Sequence, residues 1–177
     1  MKRHRLLNVL VIWSICSLAA ALPVRAEQDW TRVAPRGAGF SVDTPVPAEP
    51  TDIRGFYLYP YKGWSMSVAV FLHDEASRQR LAGDRNNLRR ELKAMKKEVL
   101  DAWGAVRDSK ASSGDINGQP SVGFAFDDGQ RDGLGLLIIT GDRLYEIVAI
   151  GPRGSSDEDA KRFISSFRLG TRGADRR

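Results

Sequence analysis

The sequence predicts an α+β fold in which one antiparallel β-sheet is covered by helices. First, apolar runs in both halves of the 177-residue chain are separated by Asn-Gly, Asp-Gly and Lys-Gly pairs, which indicate turns between antiparallel strands. Second, one long stretch has apolar residues at helical spacing, and a shorter one closes the chain. Third, no repeat or linker divides the sequence, so we expect a single domain.

The first predicted strands lie between residues 30 and 72. FSVDTP alternates Phe40 and Val42 with polar residues, and the prolines that follow prevent the strand from continuing. GFYLYPYKGWSMSVAVFL indicates a hairpin with Lys62 and Gly63 at its turn. Pro60 favours an edge position for the first strand of this hairpin. The second strand is apolar on both faces, which is typical of a strand inside a sheet and covered on both sides.

A long helix is predicted over residues 84–103, and Gly104 ends it. Its apolar residues recur at spacings of three, four or seven, which places them in one buried stripe. The stripe consists of Leu81, Leu88, Leu92, Met95 and Val99.

The second half of the chain returns to strands. Asn-Gly and Asp-Gly pairs between the apolar runs predict antiparallel hairpins. The predicted strands are residues 109–116, 121–126, 134–140 and 144–150. A closing helix begins after Ser155, whose spacing to Glu158 fits a capping box. We expect this helix to bury Ala160, Phe163, Ile164 and Phe167.

Residues 1–26 have the composition of a secretory signal peptide. The cationic MKRHR is followed by an apolar run, and the small residues Val24 and Ala26 suit cleavage by signal peptidase. We therefore expect residues 27–169 to form an exported domain, periplasmic or secreted, and residues 170–177 to be a disordered tail. The alternative is an uncleaved leader that anchors the protein to the membrane, because the apolar run approaches the length of a transmembrane helix.

Basic and acidic residues balance once the leader is removed. The chain has 27 Lys and Arg against 22 Asp and Glu; the part after the leader has 23 against 22, and removal of the tail leaves 20 against 21. A nearly neutral domain argues against nucleic-acid binding. The single cysteine, Cys16, lies in the leader, where Ile15 disfavours lipid attachment, and His73 is the one histidine after the leader. We expect no disulfide, no metal site and no cofactor.

The sequence contains four characteristic phrases: W-x-x-V from Trp30 to Val33, GFSVDTP, GDRLYEIVAIGP and AKRFISSFRL. Together they resemble the PsbP-like superfamily over residues 30–169. This superfamily has an α/β/α sandwich fold and includes many small exported bacterial proteins. The resemblance therefore implies that fold and an accessory or docking protein without catalysis. No functional residue of the family can be carried over, because the extensions and partner-binding residues of photosystem members have no match here.

One flank of the long helix is basic. At about 100° per residue, five cations fall together beside the apolar stripe, while Asp84, Glu91 and Glu98 fall on the other side. The cations are Arg85, Arg89, Lys93, Lys96 and Lys97. One interpretation is an ordinary solvated flank. The other is a contact with an anionic envelope component, either lipid head groups or an acidic partner protein.

A second candidate surface is the hairpin FYLYPYKGW, which places Tyr57, Tyr59 and Tyr61 on one face. If that face is exposed, the tyrosines form an aromatic patch of the kind found at interfaces. If it faces the core, they simply cover the sheet.

No catalytic or metal-binding motif is recognisable. His73 lacks a nucleophile elbow, because no Gly-x-Ser-x-Gly is present after the leader. Asp127, Asp128 and Asp132 do not have the spacing of an EF-hand loop and indicate a solvated turn. The prediction is an exported, non-enzymatic accessory or interaction protein of the bacterial envelope. The alternative is a cryptic hydrolase or small-ligand-binding protein whose site is assembled only in the fold.

Overall fold

The computed structural model describes residues 29–82, 84–108 and 111–170. Within them lie ten strands and three helices. The strands are β1 (Thr31–Val33), β2 (Phe40–Thr44), β3 (Phe56–Tyr61), β4 (Trp64–Leu72), β5 (Arg107–Asp108), β6 (Ser112–Ile116), β7 (Gln119–Asp127), β8 (Arg131–Ile139), β9 (Arg143–Pro152) and β10 (Arg168–Leu169). The helices are α1 (Glu75–Leu81), α2 (Arg85–Ala102) and α3 (Glu158–Ser166).

Seven strands form one antiparallel sheet in the order β3-β4-β9-β8-β7, with both β5 and β6 paired to the outer side of β7. The edge strands are therefore β3 at one end and β6 with β5 at the other. β1, β2 and β10 form a separate three-stranded antiparallel sheet. The predicted α+β fold class is confirmed, as is the edge position of the strand that contains Pro60.

The two faces of the large sheet carry separate cores. One face is covered by α3 and the small sheet, with Met66, Ile147 and Phe163 fully buried between them. The other face is covered by α2 and α1, above Leu137 and Val148. Because side chains alternate along each strand, the central strands β8 and β9 supply both cores. Helices thus lie on both sides of the sheet, as a sandwich requires.

The α2 face contains two glycines that make room for aromatic rings. A Cβ built on Gly135 would lie 2.3 Å from the ring of Phe124, and one on Gly133 would lie 2.3 Å from the ring of Phe126. Both phenylalanines are buried beneath α2. The glycines of β8 therefore let the rings of β7 pack directly on the backbone of β8.

The long helix lies where the period predicts it, but Leu81 belongs to a separate helix. Asp74 caps α1, since its carboxylate accepts a hydrogen bond from the Ser77 backbone N–H at 2.7 Å. This seven-residue helix buries only Leu81, so its sequence lacks the apolar periodicity from which a helix is predicted. In α2, Leu92 and Val99 are buried, while Leu88 and Met95 are partly buried against the same core.

Two local expectations are wrong. The capping box at the closing helix does not form, because the Ser155 hydroxyl donates to the Pro152 carbonyl at 2.6 Å and α3 begins after Asp157, whose side chain makes no capping bond. The strand β4 is not covered along its whole length, since Phe71 and Leu72 extend beyond its partner β3 and are exposed. The predicted signal peptide and most of the predicted tail lie outside the described residues.

Candidate functional site

A groove runs along the basic flank of α2, between this helix and the β6–β7 hairpin. It consists of two adjoining cavities of about 380 and 470 Å³, which share Lys93, Ser113 and Val122. The floor is apolar and is formed by Leu92, Leu100, Ala111 and Val122; the rim carries Arg89, Lys93, Lys96, Lys97, Asp108 and Asp115. We call this feature the α2 groove.

The position of α2 above the sheet follows from its sequence. The Asp84 carboxylate accepts hydrogen bonds from the backbone N–H groups of Asn86 and Asn87, which fixes the first turn. The apolar stripe of the helix then packs on Phe124 and its neighbours in β7 and β8. Lys96 lies at the border of the stripe, with its ammonium 5.7 Å from the centre of the Phe124 ring. The packing that buries the stripe therefore also sets the height of the cations above the groove.

Acidic residues from remote strands neutralise part of the basic flank. Arg85 pairs with Asp115 of β6 at 2.5 Å, and Arg89 approaches the other oxygen of the same carboxylate at 4.0 Å. Lys96 pairs with Asp108 of β5 at 2.6 Å, and its side chain is only 13% exposed. The sequence analysis missed both acids, because their proximity to α2 depends on the return of the chain along β5 and β6.

The remaining two lysines differ in their partners. Lys97 pairs with Asp101 one turn along the helix at 2.7 Å, and this hydrogen bond raises the pKa of its ammonium. Lys93 makes no ion pair within the described residues, although it lines both cavities. A cation above an apolar floor attracts an anionic group whose own stem is apolar. Lys93 is therefore the cation of the groove that has no ion-pair partner in the described residues.

The groove wall also contains hydroxyl groups, from Ser113 and Ser121. A serine nucleophile needs a base within hydrogen-bond reach. In the described part of the chain no hydrogen bond joins either hydroxyl to a histidine or carboxylate. The lining combines a polar rim with an apolar floor, and the described residues show no base hydrogen-bonded to either serine.

The tyrosines of the β3–β4 hairpin point towards the core. Tyr57 packs edge-on against Phe40 at 5.4 Å between ring centres, and Tyr59 packs against Phe163 of α3 at 5.8 Å. Tyr59 is only 1% exposed, and burial, helped by Tyr57, raises its pKa to about 12. Its hydroxyl has no hydrogen-bond partner within the described residues. This placement corrects the surface alternative, because the tyrosine face is the inner face of β3.

Tyr61, the last of the three, is half-buried beside the small sheet. Its ring meets Trp30 edge-on at 6.2 Å, and the Lys62 ammonium lies 4.6 Å from its centre. The Arg162 guanidinium lies over the Trp30 ring, 4.6 Å from the ring centre. These contacts tie the hairpin to α3 and to the start of β1, which is a packing role.

His73 lies directly after β4, where its backbone N–H donates to the Asp142 carbonyl at 2.9 Å. Burial lowers the pKa of its imidazole, against the opposing effect of Asp142 and Glu91. The Nε2 atom is buried and has no hydrogen-bond partner in the part of the chain that the structure describes. No hydrogen bond in that part joins His73 to a serine. The geometry shows no nucleophile for this histidine to activate.

The three aspartates of the β7–β8 turn have structural partners. Asp127 accepts from the Gly129 backbone N–H at 2.6 Å, and Asp128 pairs with Arg131 at 2.6 Å. Backbone hydrogen bonds to Asp128 lower the pKa of its carboxyl group. Asp132 accepts from the Gly154 N–H at 2.8 Å. Among the described residues no three acidic, histidine or cysteine side chains form a group able to hold a metal ion.

The sequence analysis also missed Glu146, a carboxylate inside β9 on the α2 side of the sheet. It lies opposite Ala69 of β4 and Leu137 of β8. Burial raises the pKa of Glu146, while a hydrogen bond from the Trp103 side chain at the end of α2 acts in the opposite direction. The sequence signal that could have identified this buried carboxylate is the single acidic residue within the apolar run LYEIVAI. Glu146 ties the end of α2 to the sheet.

No helix in the ranges 29–82, 84–108 and 111–170 is long and apolar enough to cross a membrane. No protein-family model and no curated protein matches the chain.

The solved structures that are similar to this chain include a cyanobacterial and a Bacteroides protein. The solution structure of cyanobacterial PsbP (CyanoP) from Synechocystis sp. PCC 6803 has a TM-score of 0.54 at 15% identity, over 80% of this chain and 93% of that one. A crystal structure from Bacteroides thetaiotaomicron VPI-5482 has a TM-score of 0.51 at 16% identity, over 82% of this chain. This chain spans 50% of the Bacteroides protein. The fold is therefore PsbP-like, as the sequence resemblance predicted.

Proposed function

We propose that this protein is an exported, non-enzymatic accessory protein of the bacterial envelope, and that it binds an anionic envelope component through the α2 groove. The observation that carries the proposal is Lys93, a cation without an acidic partner in the described residues, above the apolar floor of Leu92 and Val122. The leader pattern of residues 1–26 supports export. The PsbP-like fold supports an accessory role.

Binding in this groove combines two favourable terms. An incoming carboxylate or phosphate gains the attraction of Lys93, and it can also exchange with Asp115 or Asp108 for their cationic partners. The Arg85–Asp115 pair is exposed, and pairs of this kind contribute about 1 kcal/mol or less, so exchange at Asp115 costs little. The apolar floor adds burial worth about 25 cal/mol per Å². The groove should therefore favour an anionic ligand with an apolar stem or backbone.

The test is the triple variant Arg89→Gln, Lys93→Gln and Lys97→Gln. These side chains lie off the buried stripe, and Gln is a good helix former, so the variant should fold. Its binding to acidic peptides or to phosphatidylglycerol vesicles should fall roughly tenfold at low salt. Wild-type binding should also weaken as salt rises, because exposed charges are screened within about 8 Å at physiological ionic strength.

The matched control removes the same number of charges outside the groove, by changing Arg36, Arg54 and Arg78 to Gln; all three are exposed. Isothermal titration calorimetry measures both variants. Equal losses in the two variants would show that only net charge matters. No loss in the groove variant would contradict the proposed function.

A further inference from the structure

We infer that the partner of the α2 groove is an acidic protein segment that binds as an extended strand, pairing with the outer edge of β6 and placing alternate carboxylates beneath α2. This inference rests on the proposed function and adds the chemical class and conformation of the partner.

The first step is the direction of the backbone groups of β6. The β6–β7 turn consists of Asn117 and Gly118, both with positive φ (50° and 78°), which is the two-residue type I′ hairpin. The residues that flank such a turn exchange both hydrogen bonds, and the pairs then alternate. Ser113 and Asp115 are thus in non-bonded pairs. Their N–H and C=O groups point away from β7.

The second step is that this edge is open. No strand in the described residues pairs with the outer side of β6, and no backbone hydrogen bond there involves Ser113 or Asp115. Residues 112–115 are all exposed. An edge with free donors and acceptors is a template for a further strand, unless proline, lysine or a covering segment blocks it. β6 has the sequence SSGDI, which contains neither proline nor lysine.

The third step is the charge that such a strand would meet. Ser113 lies opposite the buried Val122, so its side chain is on the α2 side of the sheet and lines both cavities. The side chains of a neighbouring strand alternate in the same way, about 4.8 Å further out. Asp115 of β6 already contacts Arg85, so the cations of α2 extend as far as the edge strand. Carboxylates at alternate positions of the added strand would meet Arg89 and Lys93.

These observations favour an acidic segment over the other possible occupants. A second copy of this chain pairing through β6 would place two basic helix flanks side by side, which costs electrostatic energy. A lipid surface offers no chain of N–H and C=O groups for the edge. Strand addition by an extended peptide satisfies the backbone through the edge and obtains its specificity from alternate side chains.

The experiment uses the full chain after the leader and two synthetic peptides of equal length and composition. One peptide alternates Glu and Thr, and the other has all its Glu followed by all its Thr. The alternating peptide should bind roughly tenfold more tightly, measured by calorimetry. Two further versions are N-methylated on one or the other set of alternate residues. One of these should lose binding and the other should retain it, because only one set of N–H groups faces β6.

The protein variants are Ser113→Pro, which removes an outward N–H, and Ser113→Ala, which keeps it. Proline is tolerated at an edge where the N–H has no partner, and circular dichroism with thermal melting checks the fold. The Pro variant should lose the alternating peptide while the Ala variant binds it. If the Pro variant does not fold, the methylated peptides decide on their own.

The outcomes separate the two proposals. Equal binding of both peptides, unaffected by methylation or Ser113→Pro but lost in the triple Gln variant, would overturn strand addition and leave the groove function standing. Binding of neither peptide at low salt, with vesicle binding that the triple Gln variant loses, would overturn strand addition and leave the groove function standing. Binding of neither the peptides nor phosphatidylglycerol vesicles at low salt would overturn both. Dimerisation of the free protein that Ser113→Pro abolishes would show that a second copy occupies the edge, which also overturns the inference.

Discussion

The two edges of the large sheet have the same type of hairpin but differ in whether the chain covers their outer side. Each ends in a hairpin with a two-residue turn at positive φ, formed by Lys62 and Gly63 at one end and by Asn117 and Gly118 at the other. In each hairpin the same alternation decides which backbone groups point outwards. The β3 edge is covered by the chain itself, whereas the β6 edge is open in the described residues.

At its three outward positions β3 either contacts the preceding segment of the chain or lacks a backbone donor. The Phe56 carbonyl accepts from the Thr51 hydroxyl at 2.9 Å, and the Leu58 carbonyl accepts from the Glu49 N–H at 2.7 Å. The third outward residue is Pro60, which has no N–H. The segment before β3 thus blocks further pairing. The two hairpins share one turn design and differ in whether a segment of the chain lies against their outward-facing backbone groups.

The largest predicted effect is the loss of stability when the side chain that packs β3 against α3 is removed. Tyr59→Ala should lower the free energy of unfolding by about 3–5 kcal/mol, as for other buried aromatic side chains, because Tyr59 attaches β3 to α3. Ser113→Ala at the open edge should change it by less than about 0.5 kcal/mol. Chemical denaturation measures both variants.

Tyr59→Phe is the matched control for the covered edge. It should be as stable as the wild type or slightly more stable, because the hydroxyl it removes is buried without a partner. A loss of more than about 1 kcal/mol in the Phe variant would show that the hydroxyl makes a stabilising hydrogen bond after all.

A second prediction compares a carboxylate inside the sheet with one at the open edge. Burial holds the folded-state pKa of Glu146 above its ordinary value of 4.5, so folding favours the protonated form. The resulting destabilisation is absent well below pH 4.5 and is complete above the folded-state pKa. Glu146→Gln should therefore be more stable than the wild type at pH 7, and this advantage should shrink as the pH falls towards 4.5.

The edge counterpart is Asp115→Asn. It should be less stable than the wild type at pH 7, by no more than about 0.5 kcal/mol, since exposed ion pairs with Arg85 and Arg89 contribute little. Thermal melts across pH 4–8 give both curves. A Gln variant at residue 146 that is less stable at pH 7 would mean that the Trp103 hydrogen bond to the carboxylate outweighs its burial.

The last prediction concerns a single hydrogen bond at the covered edge. Thr51→Val removes the hydroxyl that satisfies the Phe56 carbonyl and should cost about 1 kcal/mol. Amide hydrogen exchange should become faster in β3 and stay unchanged in β6. Thr51→Ser keeps the hydroxyl and should preserve the wild-type exchange rates. Equal acceleration in both edges would indicate a global loss of stability and no special role for this contact.

Local patterns in the sequence predicted most of the fold. The turns at Lys62 and Asn117, the stripe of α2 and the edge position of Pro60 depend on residues close in the chain, and all are confirmed. The small sheet could not be predicted in this way, because β10 has two residues and pairs with β2 more than a hundred positions away. The helix α1 was missed because a single buried residue produces no period.

The candidate site was only half visible in the sequence. Helical geometry grouped the five cations correctly, since their relation is local to α2. Their partners Asp108 and Asp115 come from β5 and β6, which only the tertiary fold brings next to α2. The flank that looks uniformly basic in the sequence therefore consists largely of ion pairs, with Lys93 between them. Conversely, alternation along β3 grouped the three tyrosines, but it could not show which side of the sheet was the inner one.

Gly135 of β8 affects the α2 groove although it does not line it. Gly135 lets the Phe124 ring sink onto the backbone, and the Lys96 ammonium stands over that same ring. A single methyl group at residue 135 would lift the ring towards α2 and carry Lys96 with it. The position of Lys96 at the groove rim is therefore set from the sheet side of the hydrophobic layer, because residue 135 has no side chain beneath the Phe124 ring. A substitution at Gly135 would therefore shift Lys96 although every residue on the groove rim stayed the same.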